Sequence, residues 1–175
     1  MLARYARLVV IFGLLLAVGC ARENPTGFAH GATLVPESAE DWLTSGLALM
    51  DSGDLDGAIT AFTEAIRLDP DYAVAYYDRG VAYSDKGELD RAVADYSEAV
   101  RISPDYADAY YNRGIAYHDK GELDRAITDY DEAIRLSPDH ASAYNNRGNV
   151  YADVGELDRA IADYAQAIRI LPDDA

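Results

Sequence analysis

Few side chains in this sequence are of a type that does chemistry, and their spacing decides what they can do. Cys20 is the single thiol, so no intramolecular disulfide can form and any reaction at sulfur is confined to that one site. His30, His118 and His140 are scattered through the chain with no local metal-ligand or acid–base spacing. Asp54, Asp56 and Gly57 resemble the start of a calcium loop, but Thr63 stands where a bidentate glutamate would close it. Arg91, Arg125 and Arg159 then replace Gly57 at the matching later positions. No nucleophile–base arrangement, phosphate loop or metal cluster is readable, so neither an enzyme nor a cofactor is expected. Charge removes a further class: 15 basic against 31 acidic side chains give a net −16. That is the wrong sign for a phosphate backbone, so nucleic acid is not an expected partner.

The setting of Cys20 carries more than its chemistry does. Arg4 and Arg7 precede an apolar run from Leu8 to Val18, followed by Gly19 and Cys20, the layout of a secretory signal. The run is short of the roughly 20 apolar residues that a membrane span needs. Leu16-Ala17-Val18-Gly19-Cys20 resembles the lipobox of bacterial lipoproteins, although Ala17 stands where leucine is usual. The resemblance implies a signal peptide over 1–19, lipidation of Cys20 and attachment to a membrane through that lipid. The implied location is the bacterial cell envelope. Ala21 is not a retention aspartate, which by analogy with enteric bacteria favours the outer membrane over the inner. Residues 20–38, with Asn24-Pro25-Thr26-Gly27 and Val35-Pro36-Glu37-Ser38, show no helical period and read as a tether.

From there to the end the sequence is periodic. Pro70, Pro104, Pro138 and Pro172 stand 34 residues apart, and Gly87-Glu88-Leu89-Asp90-Arg91-Ala92 returns at Gly121 and again at Gly155. A period of this length marks a solenoid, with units 39–72, 73–106, 107–140 and 141–174. Each unit holds two stretches with helical spacing of apolar residues on either side of a glycine, so each is predicted to be a helical hairpin. In the second unit, helix one is expected over about Ala73 to Lys86, ended by Gly87 in the left-handed conformation. Asp90 is expected to open helix two as its cap, and Pro104 to stop it.

Small residues recur inside these helices. Gly46, Gly80, Gly114 and Gly148 fall within helix one, where glycine costs about 1 kcal/mol against alanine. Close helix approach against the alanine column Ala58, Ala92, Ala126 and Ala160 is the expected compensation. Phe62, Tyr96, Tyr130 and Tyr164, with Tyr83, Tyr117 and Tyr151, are expected to fill the core between them. Glu64–Arg67, Glu98–Arg101 and Glu132–Arg135 are spaced for pairing along helix two.

These columns resemble the tetratricopeptide-repeat (TPR) family from about Ala39 to Pro172, with a looser first unit in which Leu49 replaces the tyrosine of later units. Such an end unit fits a terminal cap. The resemblance implies an all-α, right-handed α-solenoid of about four hairpins whose first helices line a concave groove that receives peptides or proteins. It places Asn112 and Asn146 where some members carry an asparagine ladder gripping peptide backbone; Asp78 departs from that ladder. Tyr77, Tyr111 and Asn145 stand where chaperone-binding members carry a lysine of their carboxylate clamp, so that clamp is absent.

Asp51, Asp85, Asp119 and Asp153 recur near the end of helix one, an unfavourable place for negative charge. They are either a solvated face or an electrostatic edge that selects neutral to basic partners. Together with Asn149, the residues Tyr77, Asp78, Asp85, Tyr111, Asn112, Asp119, Asn145, Asn146 and Asp153 form the expected protein-binding groove. The chain stops at Ala175, three residues after Pro172, leaving no room for a covering helix. A homodimer or partner contact through 158–171, which keeps Ile161, Tyr164, Ala165 and Ile168, is therefore expected, with end-to-end stacking as the alternative use of the terminal helices.

Overall fold

The computed structural model describes residues 37–171. Cys20, His30, the expected signal peptide, the tether as far as residue 36 and Pro172 lie outside the described residues. By its contacts the chain separates into Met1–Leu34 and Val35–Ala175, and the described residues belong to the second unit. They form eight helices and no strand: α1 (Ala39–Ser52), α2 (Leu55–Leu68), α3 (Ala73–Asp85), α4 (Leu89–Ile102), α5 (Ala107–Asp119), α6 (Leu123–Leu136), α7 (Ala141–Asp153) and α8 (Leu157–Ile170).

Each helix packs on the next, most extensively within the four hairpins. The odd-numbered helices also touch each other, α1 on α3, α3 on α5 and α5 on α7, whereas no even-numbered helix touches another. The odd helices therefore lie closer to one another along the array than the even helices do. None of the described helices is long and apolar enough to cross a membrane.

Helix ends follow the expected glycines. Gly53, Gly87, Gly121 and Gly155 hold φ of 75–82°, the left-handed region that closes a helix without a Cβ clash. The α3 helix ends at Asp85, one residue before its expected limit, with Lys86 as cap. At the start of α4 the expectation is corrected. Glu88 precedes the helix without a side-chain cap, while Asp90 lies in the first turn and accepts from Lys120 Nζ of the next unit at 2.6 Å. In α2, Asp54 does cap, accepting from the Gly57 amide at 3.0 Å.

The compensation for the helix-one glycines also differs from expectation. A Cβ on Gly80 or Gly114 would come within 2.7 or 2.8 Å of the Tyr96 or Tyr130 ring, and one on Gly46 would overlap the Phe62 ring. The rings are what such a Cβ would meet first; at Gly148 the Ala160 carbonyl oxygen is also among the nearest atoms, 3.3 Å from it. Phe62, Tyr96 and Tyr130 are accordingly at most 2% exposed. Ala58, Ala92, Ala126 and Ala160 are buried beside them.

Candidate functional site

A column absent from the sequence reading holds the odd row in place. Arg79, Arg113 and Arg147, in α3, α5 and α7, each grip an aspartate of the following helix with two nitrogens: Asp95 at 2.7 and 2.8 Å, Asp129 at 2.7 and 2.8 Å, and Asp163 at 2.8 and 2.7 Å. The third nitrogen, Nη1, donates to the preceding unit, to Thr63, Ser97 and Asp131 respectively. Each guanidinium therefore ties three helices, and its planar fork suits the two-oxygen grip better than an ammonium would. It also lies over tyrosine rings, as Arg113 does over Tyr110 and Tyr117 at 5.5 and 5.9 Å. The signal was present in the sequence: Arg and Asp recur every 34 residues, 16 apart within each unit, and unit one lacks both, with Ser45 and Ala61.

The expected groove residues divide by accessibility. Asn112 Nδ2 donates to Tyr77 Oη at 2.8 Å, and Asn146 Nδ2 to Tyr111 Oη at 3.1 Å. Both bonds run along the odd row, from α5 back to α3 and from α7 back to α5. The asparagines thus brace neighbouring units, and Asn146 also interacts with the Tyr130 hydroxyl. Tyr77, 8% exposed, packs against Tyr96 and Tyr106 with ring centroids 5.9 and 4.9 Å apart. Tyr111 is half-buried and lies on His140 at 4.5 Å. Asp78 is buried at 6%. Tyr77 and Asp78 therefore belong to the interior and present little surface to a partner.

The exposed members sit toward the carboxyl ends of the odd helices, apart from Asn145. Asn149 accepts from Tyr164 Oη at 2.9 Å, and Asn145 faces solvent. Asp153 meets His118 Nε2 at 2.8 Å. Asp51, Asp85 and Asp119 are exposed and have no ion pair among the described residues. Desolvation by its surroundings still raises the Asp85 carboxyl above its ordinary value. The other side of the array contrasts with this edge: Glu64, Glu98 and Glu132 in the even helices are paired in the same helix with Arg67, Arg101 and Arg135 at 2.7–2.8 Å.

Burial, with Tyr77 and Tyr111 next in order, raises the Tyr96 and Tyr130 hydroxyls far above their ordinary value. These groups stay protonated in any ordinary condition and serve as core. No group of acidic residues, histidines or cysteines among the described residues is arranged to hold a metal ion.

Family models match nearly all of the described array. The model described as TPR repeat covers residues 46–87, 82–121 and 116–155, and the one described as Tetratricopeptide repeat covers 141–174. Similar solved structures include a crystal structure of MamA, 32% identical, covering 77% of this chain and 79% of that one with a TM-score of 0.74. MamA 41-end from Desulfovibrio magneticus RS-1 shares the fold at 23% identity and TM-score 0.72, over 79% of this chain and 78% of that one. The first TPR of Spaghetti (RPAP3), bound to the HSP90 peptide SRMEEVD, is 26% identical with TM-score 0.67, over 71% of this chain and 99% of that one. No curated protein matches the sequence. Four hairpins, their glycine, alanine and aromatic columns and the matching models make this chain a member of the tetratricopeptide-repeat family.

Proposed function

We propose that the chain is a protein-interaction scaffold that takes neutral to basic peptide segments along its odd-helix row. The observation that carries this reading is the line of carboxylates at the row's edge, where Asp85 and Asp119 stand without an ion pair one repeat apart. By contrast, Glu64, Glu98 and Glu132 of the even helices are neutralised by their own arginines, and only Asp124 and Asp158 of those helices are exposed without an ion pair among the described residues. Unpaired carboxylates in a repeating line attract a cationic segment and repel an acidic one. The amide of Asn112, which gives one N–H to Tyr77, then offers a further donor and an acceptor to main chain whatever the side chains of the bound segment, with Asn146 one repeat further along the row. The RPAP3 relative bound a peptide with an acidic end. Here Tyr77, Tyr111 and Asn145 take the clamp positions, so the preferred charge is reversed.

Anchoring belongs to the same proposal. A lipid on Cys20 would hold the array at an envelope membrane, with the outer membrane favoured by Ala21, and the lipobox-like Leu16–Cys20 supports this. Mass spectrometry of the mature N-terminus checks it: an acylated peptide starting at Cys20 is expected, and an intact Gly19–Cys20 bond would contradict it.

The binding reading is tested by equilibrating the protein with a mixed library of extended peptides of defined charge. Enrichment of lysine- and arginine-bearing members is expected, with loss of enrichment at high salt. Enrichment of acidic members, or none that competes for the odd row, would overturn it.

A further inference from the structure

We propose that α8 is a self-association surface at which two copies of this chain pair antiparallel, closing the assembly at a dimer. In the internal hairpins, the residues of the second helix that face the next unit are covered. Leu55, Leu89 and Leu123 are half-buried, as are Ile59, Val93 and Ile127; Val100 is 9% exposed. Their counterparts in α8 are open: Leu157 is 60% exposed, Ile161 65% and Ile168 53%, and Leu171 just past the helix, where earlier units carry Asp69, Ser103 and Ser137, is 48% exposed. This is a continuous apolar stripe at helical spacing.

Three features of α8 indicate what covers the stripe. First, Ala165 replaces Thr63, Ser97 and Asp131, the residues that accept from the next unit's arginine. The face is therefore not built to receive another hairpin of the same kind. Second, Gln166 replaces Glu64, Glu98 and Glu132, so Arg169 lacks the helical partner that Arg67, Arg101 and Arg135 have. In consequence α8 balances Asp158 and Asp163 against Arg159 and Arg169, whereas α2, α4 and α6 each carry more acid than base. On a chain of net charge −16, this is a surface that a second copy can approach. Third, Asp158 and Arg169 lie on the same flank of the stripe near opposite ends of the helix. A two-fold axis that sets two α8 helices face to face and antiparallel brings Asp158 of each copy toward Arg169 of the other, on that shared flank. Parallel pairing by a two-fold would put them on opposite flanks.

The other end of the array excludes an open stack. If α1 of a second copy covered α8 as α3 covers α2, its residue 41 would occupy the place of Ala75, Ala109 and Ala143, all fully buried. That residue is Asp41, whose carboxylate accepts from the Ser38 amide in a capping box. Pressed among isoleucines, that carboxylate would keep only the Ser38 amide as a partner, too little to offset its desolvation. One 14-residue helix per copy is a small contact, so a weak, reversible dimer at the low end of interface sizes follows.

Cross-linking the full chain in detergent tests this, in a Cys20→Ser background. Ala165→Cys, near the two-fold axis, is expected to give a disulfide-linked species of twice the chain mass under mild oxidation and nothing larger. Adding Ile161→Glu and Ile168→Glu should cut its yield at least tenfold while circular dichroism shows the same helix content, since both side chains are exposed. The pair Asp41→Cys and Ala165→Cys, mixed from separate chains, should give no heterodimer beyond the Ala165–Ala165 product. Failure of Ala165→Cys to cross-link, a dimer unaffected by the glutamates, or a ladder through residue 41 would each overturn the proposal. The surface is separate from the odd row, so peptide binding by that row is unaffected by any of these results.

Discussion

The two rows of helices follow different rules. In the even row, glutamate and arginine three residues apart neutralise each other on one helix, and no helix of the row touches another. Along the odd row, polar groups reach across units: Asn112 to Tyr77, Asn146 to Tyr111 and Asp153 to His118. The even row thus pairs its glutamates within single helices, while its Asp56 and Asp90 reach lysines of the next unit and its exposed Asp124 and Asp158 have no ion pair among the described residues. The odd row is a continuous surface whose geometry depends on the buried Arg–Asp column beneath it and whose edge keeps unpaired carboxylates. Such a difference separates residues that make the array from residues that could be read by a partner.

The largest effect is expected where the two rows are joined. Asp129→Ala leaves the Arg113 guanidinium, with its side chain only 16% exposed, facing an empty site. Breaking a buried pair in this way costs about 3–5 kcal/mol, and urea denaturation followed by circular dichroism measures it. Unchanged stability would show that the column is incidental.

Alkaline pH provides a second route. The folded-state values of Tyr96 and Tyr130 lie above the unfolded value near 10.0, so the folded chain retains protons that the unfolded chain releases. Stability is therefore intact below about pH 10 and falls as pH rises beyond it, by up to about 1.4 kcal/mol per pH unit for each tyrosine. Tyr96→Phe with Tyr130→Phe should flatten that fall in denaturation experiments between neutral and alkaline pH.

Gly114→Ala brings a Cβ within 2.8 Å of the fully buried Tyr130 ring. Overpacking of about 1–3 kcal/mol outweighs the roughly 1 kcal/mol of helix propensity gained, for a net loss on the order of 1 kcal/mol. Gly148→Ala faces Tyr164, which is only half-buried and can yield, so its thermal midpoint should fall less. The smallest effect belongs to the even row: Glu132→Gln removes an exposed i,i+3 pair and is expected to cost only a few tenths of a kcal/mol.

Much of this architecture was legible because a 34-residue repeat states each structural demand several times. Gly87, Gly121 and Gly155 announced helix ends, and Gly80 with Gly114 announced close packing. Which group filled that packing was not legible, since Tyr96 and Ala92 lie on the same helix four residues apart and periodicity cannot say which one reaches the glycine. Asp90 misled as a cap because its true partner, Lys120, is 30 residues away. The Arg–Asp column was written openly at a separation of 16 yet reads as two unrelated charges until α5 and α6 are packed. Accessibility was the least legible property: Tyr77 and Asp78 share the odd row with Asp85, yet they are buried while Asp85 is exposed. Positions about two turns apart on one helix differ in what covers them.

Fluorescence anisotropy of a labelled lysine-rich extended peptide, titrated against four forms of the protein, tests the odd-row account most directly. The forms are the native chain, Asp85→Asn with Asp119→Asn, Asn112→Ala with Asn146→Ala, and Glu98→Gln with Glu132→Gln, each verified as folded by circular dichroism. Binding to the native chain is expected to weaken about tenfold in either odd-row variant and to stay unchanged in the even-row variant. Equal binding by all four forms, or a loss confined to the even-row variant, would contradict the assignment of partner recognition to the odd helices.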